Sequence, residues 1–233
     1  MRICRRICVW LFVSNCLFFS LLSHCIATTD QQQAVNPAKQ KYLPQLEDRQ
    51  WSFLLYRGNT VKQWLYQLAE FQYTSVGEVL YSAELAYALN KNNLVIKFLH
   101  PVLNQIQFAA NVAERYSYDD PRRDPVTEFD LYVMARRVNR LWQKYLNTTM
   151  AAGTGLSYTS SVPYVEQNHG AAHSSTRFLA FLTFEFTVAL PSYPYLQLVG
   201  RIHHRSGVYG IFYPFRENPG SNNIGVGIRY YFR

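Results

Sequence analysis

From Gln50 onward the chain alternates apolar and polar residues, in runs broken by clusters of Gly, Pro, Asn and Asp. A period of two is the signature of strands covered on one face only. The clearest run is 176–190: Phe178, Leu182, Phe184, Phe186 and Val188 fall on one side, Thr183, Glu185 and Thr187 on the other. The same reading predicts strands at about 50–57, 75–89, 103–117, 126–137, 146–161, 195–209 and 222–232. Residues 60–73 have partly helical spacing and read as a connection. Asn90-Lys91-Asn92-Asn93 reads as a turn, YDDPRRDP (118–125) as a solvent-facing loop, and PSYP (191–194) as a tight reversal.

These runs make eight strands, with short connections expected after the second, fourth and sixth and long polar ones after the first, third, fifth and seventh. That rhythm fits a small all-β transmembrane barrel, an eight-stranded antiparallel β-barrel of the bacterial outer membrane. A soluble eight-stranded barrel of the lipocalin kind is the competitor, with its apolar face inside. Gly153, Gly155, Gly225 and Gly227 share the polar face and suit a narrow lumen better than a solvent surface. Glu84, Asp130, Arg136 and Glu185 fall on that inner face too, where a charged network would fill space, since eight strands leave no wide channel.

The N-terminus changes the setting. Arg2, Arg5 and Arg6 precede an apolar run from Ile7 to Leu22 and then Ser23-His24-Cys25-Ile26-Ala27, so 1–27 reads as a signal peptide cleaved after Ala27. Lipidation at Cys25 is the rival, disfavoured by the bulky His24 before it. All four cysteines lie in this segment, which excludes a disulfide framework, a thiolate metal site and a cysteine nucleophile after cleavage. Losing three arginines lowers the net charge from +8 to +5, still suited to lipopolysaccharide or anionic headgroups; export leaves nucleic acid a poor partner. Residues 28–49, Gln-rich and polar, read as a tether or short plug before the barrel of 50–233.

The strand at 195–209 carries the candidate chemistry. With both termini periplasmic it runs outward, which puts His204 and Ser206 near the outer rim. Parity aligns them with Leu196, Leu198 and Ile202, the lipid side, where a polar group is costly. Asn222 shares the apolar face of the last strand and antiparallel pairing could bring it beside them. Nucleophile, base and orienter on one face make an ester-hydrolysing arrangement.

The tail resembles the PagL-type lipid A 3-O-deacylase family, outer-membrane esterases built as eight-stranded barrels. The resemblance rests on His204-Arg205-Ser206, on Asn218-Pro219-Gly220 before the last strand, and on the alternating aromatic end at Phe232. It covers about the last 35 residues plus the overall architecture. It implies a lipid-facing serine hydrolase that needs no cofactor or metal and takes lipid A, lipopolysaccharide or another outer-leaflet lipid. Where the family carries its acid this chain has Asn222, with Glu217 as the alternative acid in a loop longer than the family's. Arg205 and Arg216 are candidate contacts for a glycolipid phosphate. His169 and His173, with Glu166 nearby, read as loop filler rather than a metal site. The alternative function is a non-catalytic small barrel with a structural or surface-interaction role.

Overall fold

The computed structural model describes residues 49–233 except 64, 66, 71, 72, 100, 101, 140, 141, 169–174 and 209–219. The expected signal and all of the tether but Arg49 lie outside the described residues. Eight antiparallel strands close a barrel in sequence order: β1 (Trp51–Val61), β2 (Ser75–Ala88), β3 (Gln105–Ser117), β4 (Val126–Asn139), β5 (Asn147–Thr159), β6 (Phe178–Ala189), β7 (Leu196–Ser206) and β8 (Gly220–Phe232). β1 seals the barrel against β8 from Trp51↔Phe232 to Val61↔Asn222.

Burial inverts that of a soluble barrel and decides against the lipocalin reading. Leu131, Val133, Phe184, Phe186, Leu196, Leu198, Val226 and Ile228 are exposed, while Glu84, Glu128, Asp130, Arg136, Glu185, Arg201 and Arg229 are 5% exposed or less. The outer face is therefore apolar and the inner one ionic. Strands of 11–14 residues meet or exceed the 9–11 that a tilted strand needs to cross a bilayer. Aromatics band both ends of the outer face: Trp51 against Tyr87 and Tyr230 against Phe232 near the termini, Tyr81 against Tyr116 near the opposite rim. Belts of this kind sit at headgroup level.

The lumen is filled, not open. Glu185 pairs with Arg136 at 2.6 Å, with Arg229 at 2.6 Å and with Arg201, and Glu84 pairs with Arg229 at 2.8 Å and with Arg201. Tyr132 donates to Glu84, and its ring occupies room left by Gly153, where a Cβ would come within 3.1 Å of the ring. The inward glycines are thus the negative of the inward tyrosine.

One connection is longer than its turn signal implies. After β2 the chain forms a short helix, α1 (Leu94–Leu99), which exposes Leu94 and Phe98 at the end that carries the termini. Asn93 caps it by accepting from the Val95 amide at 2.9 Å. At the opposite rim, the β5–β6 loop contains a single helical turn, α2 (Tyr164–Asn168).

Candidate functional site

Strand pairing assembles the site. His204 sits directly across from Asn222, and Ser206 across from Gly220, at the rim end of the β7–β8 seam. All of these follow from the alternation that turns Gln197, Arg201, His203 and Arg205 inward. On the far side of Asn222 lies Val61, and across from His204 on β6 lies Leu182.

Within this seam His204 Nδ1 lies 2.6 Å from Asn222 Oδ1, and Asn222 Nδ2 donates to the Gln63 carbonyl at 2.9 Å. A carbonyl can only accept, so the Asn222 amide nitrogen must face Gln63 and its oxygen must face the histidine. His204 therefore carries its proton on Nδ1, which leaves Nε2 with a bare lone pair, the tautomer a general base requires. Gln63 is itself anchored: its Oε1 accepts from the Thr74 amide at 2.8 Å and its Nε2 donates to Thr74 Oγ1 at 3.2 Å. The β1–β2 connection thus sets the tautomer of a histidine on β7.

The pair faces outward by parity yet is sheltered. Ser206 is 5% exposed and Asn222 9%, whereas Leu198 on the same face is 54%. The Gln63 segment covers Asn222, and the chain folds back past Ser206, whose Oγ accepts from the Val208 amide at 3.1 Å. Val208 holds a positive φ of 49°, and Gly220, with φ 149°, starts β8 where a Cβ would sit 2.0 Å from the Arg205 carbonyl. A β-branched residue in the left-handed region is a strained position. Strain and a steric requirement for glycine flank the serine on both sides.

Arg205 differs from the expectation. Its odd position turns it into the lumen, fully buried, where it pairs with Glu166 at 2.7 Å and donates to Ser157 at 3.0 Å and to the Arg177 carbonyl at 3.0 Å. That orientation removes it from the lipid side. Arg216 and Glu217, like His169 and His173, lie outside the described residues.

Glu166 is not loop filler. It dips from α2 into the barrel mouth, 1% exposed, and holds Arg205, Ser221 Oγ (2.9 Å) and Ser175 Oγ (2.7 Å). Arg205 stands between His204 and Ser206, and Ser221 precedes Asn222, so one carboxylate ties both strands of the seam from inside. Neither Glu166 nor Gln63 shows in the strand alternation, because both belong to connections.

A closed eight-stranded barrel with an apolar exterior and an ionic interior is a transmembrane barrel, and this chain is a protein of the bacterial outer membrane. No protein-family model matches the sequence, and no curated protein matches it. Similar solved structures include the outer membrane enzyme PagL, at 10% identity over 77% of this chain and 98% of that one, TM-score 0.46. Neisserial surface protein A is similar at 12% identity over 78% and 95%, TM-score 0.41. Ail, the attachment invasion locus protein of Yersinia pestis, is similar at 14% identity over 78% and 99%, TM-score 0.31.

Proposed function

We propose that this barrel is a lipid-ester hydrolase of the lipid A deacylase type, working on an acyl ester of an outer-leaflet lipid. The observation that carries the reading is the His204–Asn222 bond at 2.6 Å on the lipid side of the β7–β8 seam, two residues from Ser206. A histidine and an amide cost free energy on a face otherwise built of Leu, Ile and Val, and a base held in the productive tautomer is a physical reason to place them there.

In this mechanism the Ser206 hydroxyl attacks the ester carbonyl and passes its proton to His204 Nε2. The Nδ1–H of the resulting imidazolium stays on Asn222 Oδ1. His204 then returns the proton to the departing alkoxide, leaving an acyl-serine. Water, deprotonated by the same Nε2, releases the fatty acid and restores the serine. Arg216 is retained as the phosphate contact and Glu217 as the alternative acid of the same rim. Arg205, turned to Glu166, is reassigned to holding β7 in place.

Purified barrel in detergent with lipid A should release a hydroxy fatty acid, and Ser206→Ala or His204→Ala should abolish the release. A folded barrel that leaves every offered lipid ester intact would instead be a structural or surface-interaction protein.

A further inference from the structure

The rim half of the lumen contains a second cluster, separate from the outer-face chemistry and independent of it. Glu128 and Asp130 point inward from β4, and His203 reaches them from β7 across the barrel. His203 Nε2 lies 2.6 Å from Glu128 Oε1 and 3.8 Å from Asp130 Oδ2, and the three ligand atoms all fall within 4.8 Å of one another. Donors bound at the usual 2.0–2.2 Å around one tetrahedral ion stand about 3.3 Å apart. The two histidine separations bracket that value, so small side-chain shifts would close the three around a metal.

Each donor is already oriented by a neighbour, as ligands in metal sites are. Arg115 Nε holds Glu128 Oε2 at 2.5 Å, Asn111 Nδ2 donates to Asp130 Oδ2 at 2.8 Å, and Phe181 meets the His203 ring edge-on at 4.7 Å. Two further observations point to a cation. Asp130 is 1% exposed, and among the described residues its Oδ1 has no hydrogen-bond partner and its carboxyl pairs with no arginine or lysine. Four inward carboxyls of this half, Glu78, Glu128, Asp130 and Glu166, face two guanidiniums, Arg115 and Arg205. A buried carboxylate without a cation is costly, and a divalent ion would supply one.

We propose that Glu128, Asp130 and His203 bind a divalent transition metal of the zinc or manganese class inside the barrel. One imidazole with two carboxylates selects such ions over magnesium or calcium. Binding takes His203 as the neutral imidazole protonated on Nδ1, the proton leaving Nε2 for Nδ1 as the metal takes its place, and the wall of strands makes the ion slow to exchange once the barrel has closed.

Untagged protein is extracted in detergent from membranes of cells grown with added zinc or manganese, then freed of loose metal by chelator and gel filtration. Elemental analysis should find one equivalent of metal per barrel, and X-ray absorption at its edge should show nitrogen and oxygen ligands near 2.0–2.2 Å. Asp130→Asn and His203→Gln should each lower the metal content at least tenfold, while Glu166→Gln should keep it. Wild type with less than a tenth of an equivalent of either metal would overturn the proposal, as would full metal in the Asp130 and His203 variants. Should those variants fail to insert, the wild-type metal content and ligand shell decide alone.

Discussion

Asn222 makes two hydrogen bonds of opposite polarity, and that pair of bonds explains what an amide does where the PagL-type pattern has an acid. The nitrogen ties to the Gln63 carbonyl at 2.9 Å and the oxygen to His204 at 2.6 Å. A carboxylate would keep the second bond and lose the first, setting an oxygen against a carbonyl. It would also stabilise the imidazolium formed during attack, which an amide does not; the loss of about four orders of magnitude when an amide takes the acid's seat in a serine protease comes from the wrong tautomer, which the Gln63 bond opposes here. Asn222→Asp should therefore raise ester turnover at least tenfold and lower stability by about 1 kcal/mol, read by steady-state kinetics and urea unfolding of the same preparation. Asn222→Leu should lose both bonds and with them most of the activity, since nothing then holds the proton on Nδ1. The sequence showed the position of this residue but not its orientation, because Gln63 sits in a connection with no periodicity to align it. The neighbouring strain at Val208 yields a separate expectation: Val208→Gly should stabilise the fold by roughly 1 kcal/mol by relieving the positive φ.

At the scale of elements, the β7–β8 seam is held from both sides of the sheet. Outside, the β1–β2 connection grips Asn222 through Gln63; inside, α2 sends Glu166 to Arg205 and Ser221. Removing one partner of a buried ion pair leaves the other charge stranded, at about 3–5 kcal/mol. Glu166→Ala and Arg205→Ala should each destabilise by about that much, and the double variant should cost far less than their sum. A double-mutant cycle in urea should return a coupling of about 1–3 kcal/mol, and additive losses would separate the two residues. All eight strands and their faces were legible, because every strand has water or charge on one side and lipid on the other, which is what period-two alternation records. Connections were not: α1 behind the Asn90–Asn93 turn and Glu166 in α2 answer to contacts made in three dimensions. Parity also placed Arg205 inward, and its assignment to a lipid phosphate set that alternation aside.

The molecule as a whole is a protein inside out. Its apolar side chains meet the bilayer, and its interior cohesion comes from ion pairs and glycine-made room for tyrosine. Glu185 is the hub, with Arg136, Arg201 and Arg229 around it. Glu185→Ala would leave Arg136 without a carboxylate and Arg201 and Arg229 sharing Glu84 alone, and should prevent compact folding, seen as loss of the fast-migrating folded form on an unheated gel. Glu185→Gln, which keeps acceptor geometry but not charge, should fold with a lowered unfolding midpoint. A filled lumen also predicts no ion conductance in planar bilayers, since eight strands leave space for side chains only. The proposed ester chemistry therefore belongs to the outer surface at the rim, where His204, Ser206 and Asn222 stand.

Mass spectrometry of lipid A incubated with the inserted barrel tests the central claim most directly. The account predicts a lipid A species lighter by one hydroxyacyl chain, with the free hydroxy fatty acid in equal amount, and neither product with Ser206→Ala. Unchanged lipid A beside a wild-type barrel proven folded and inserted, or equal release by Ser206→Ala, would contradict it.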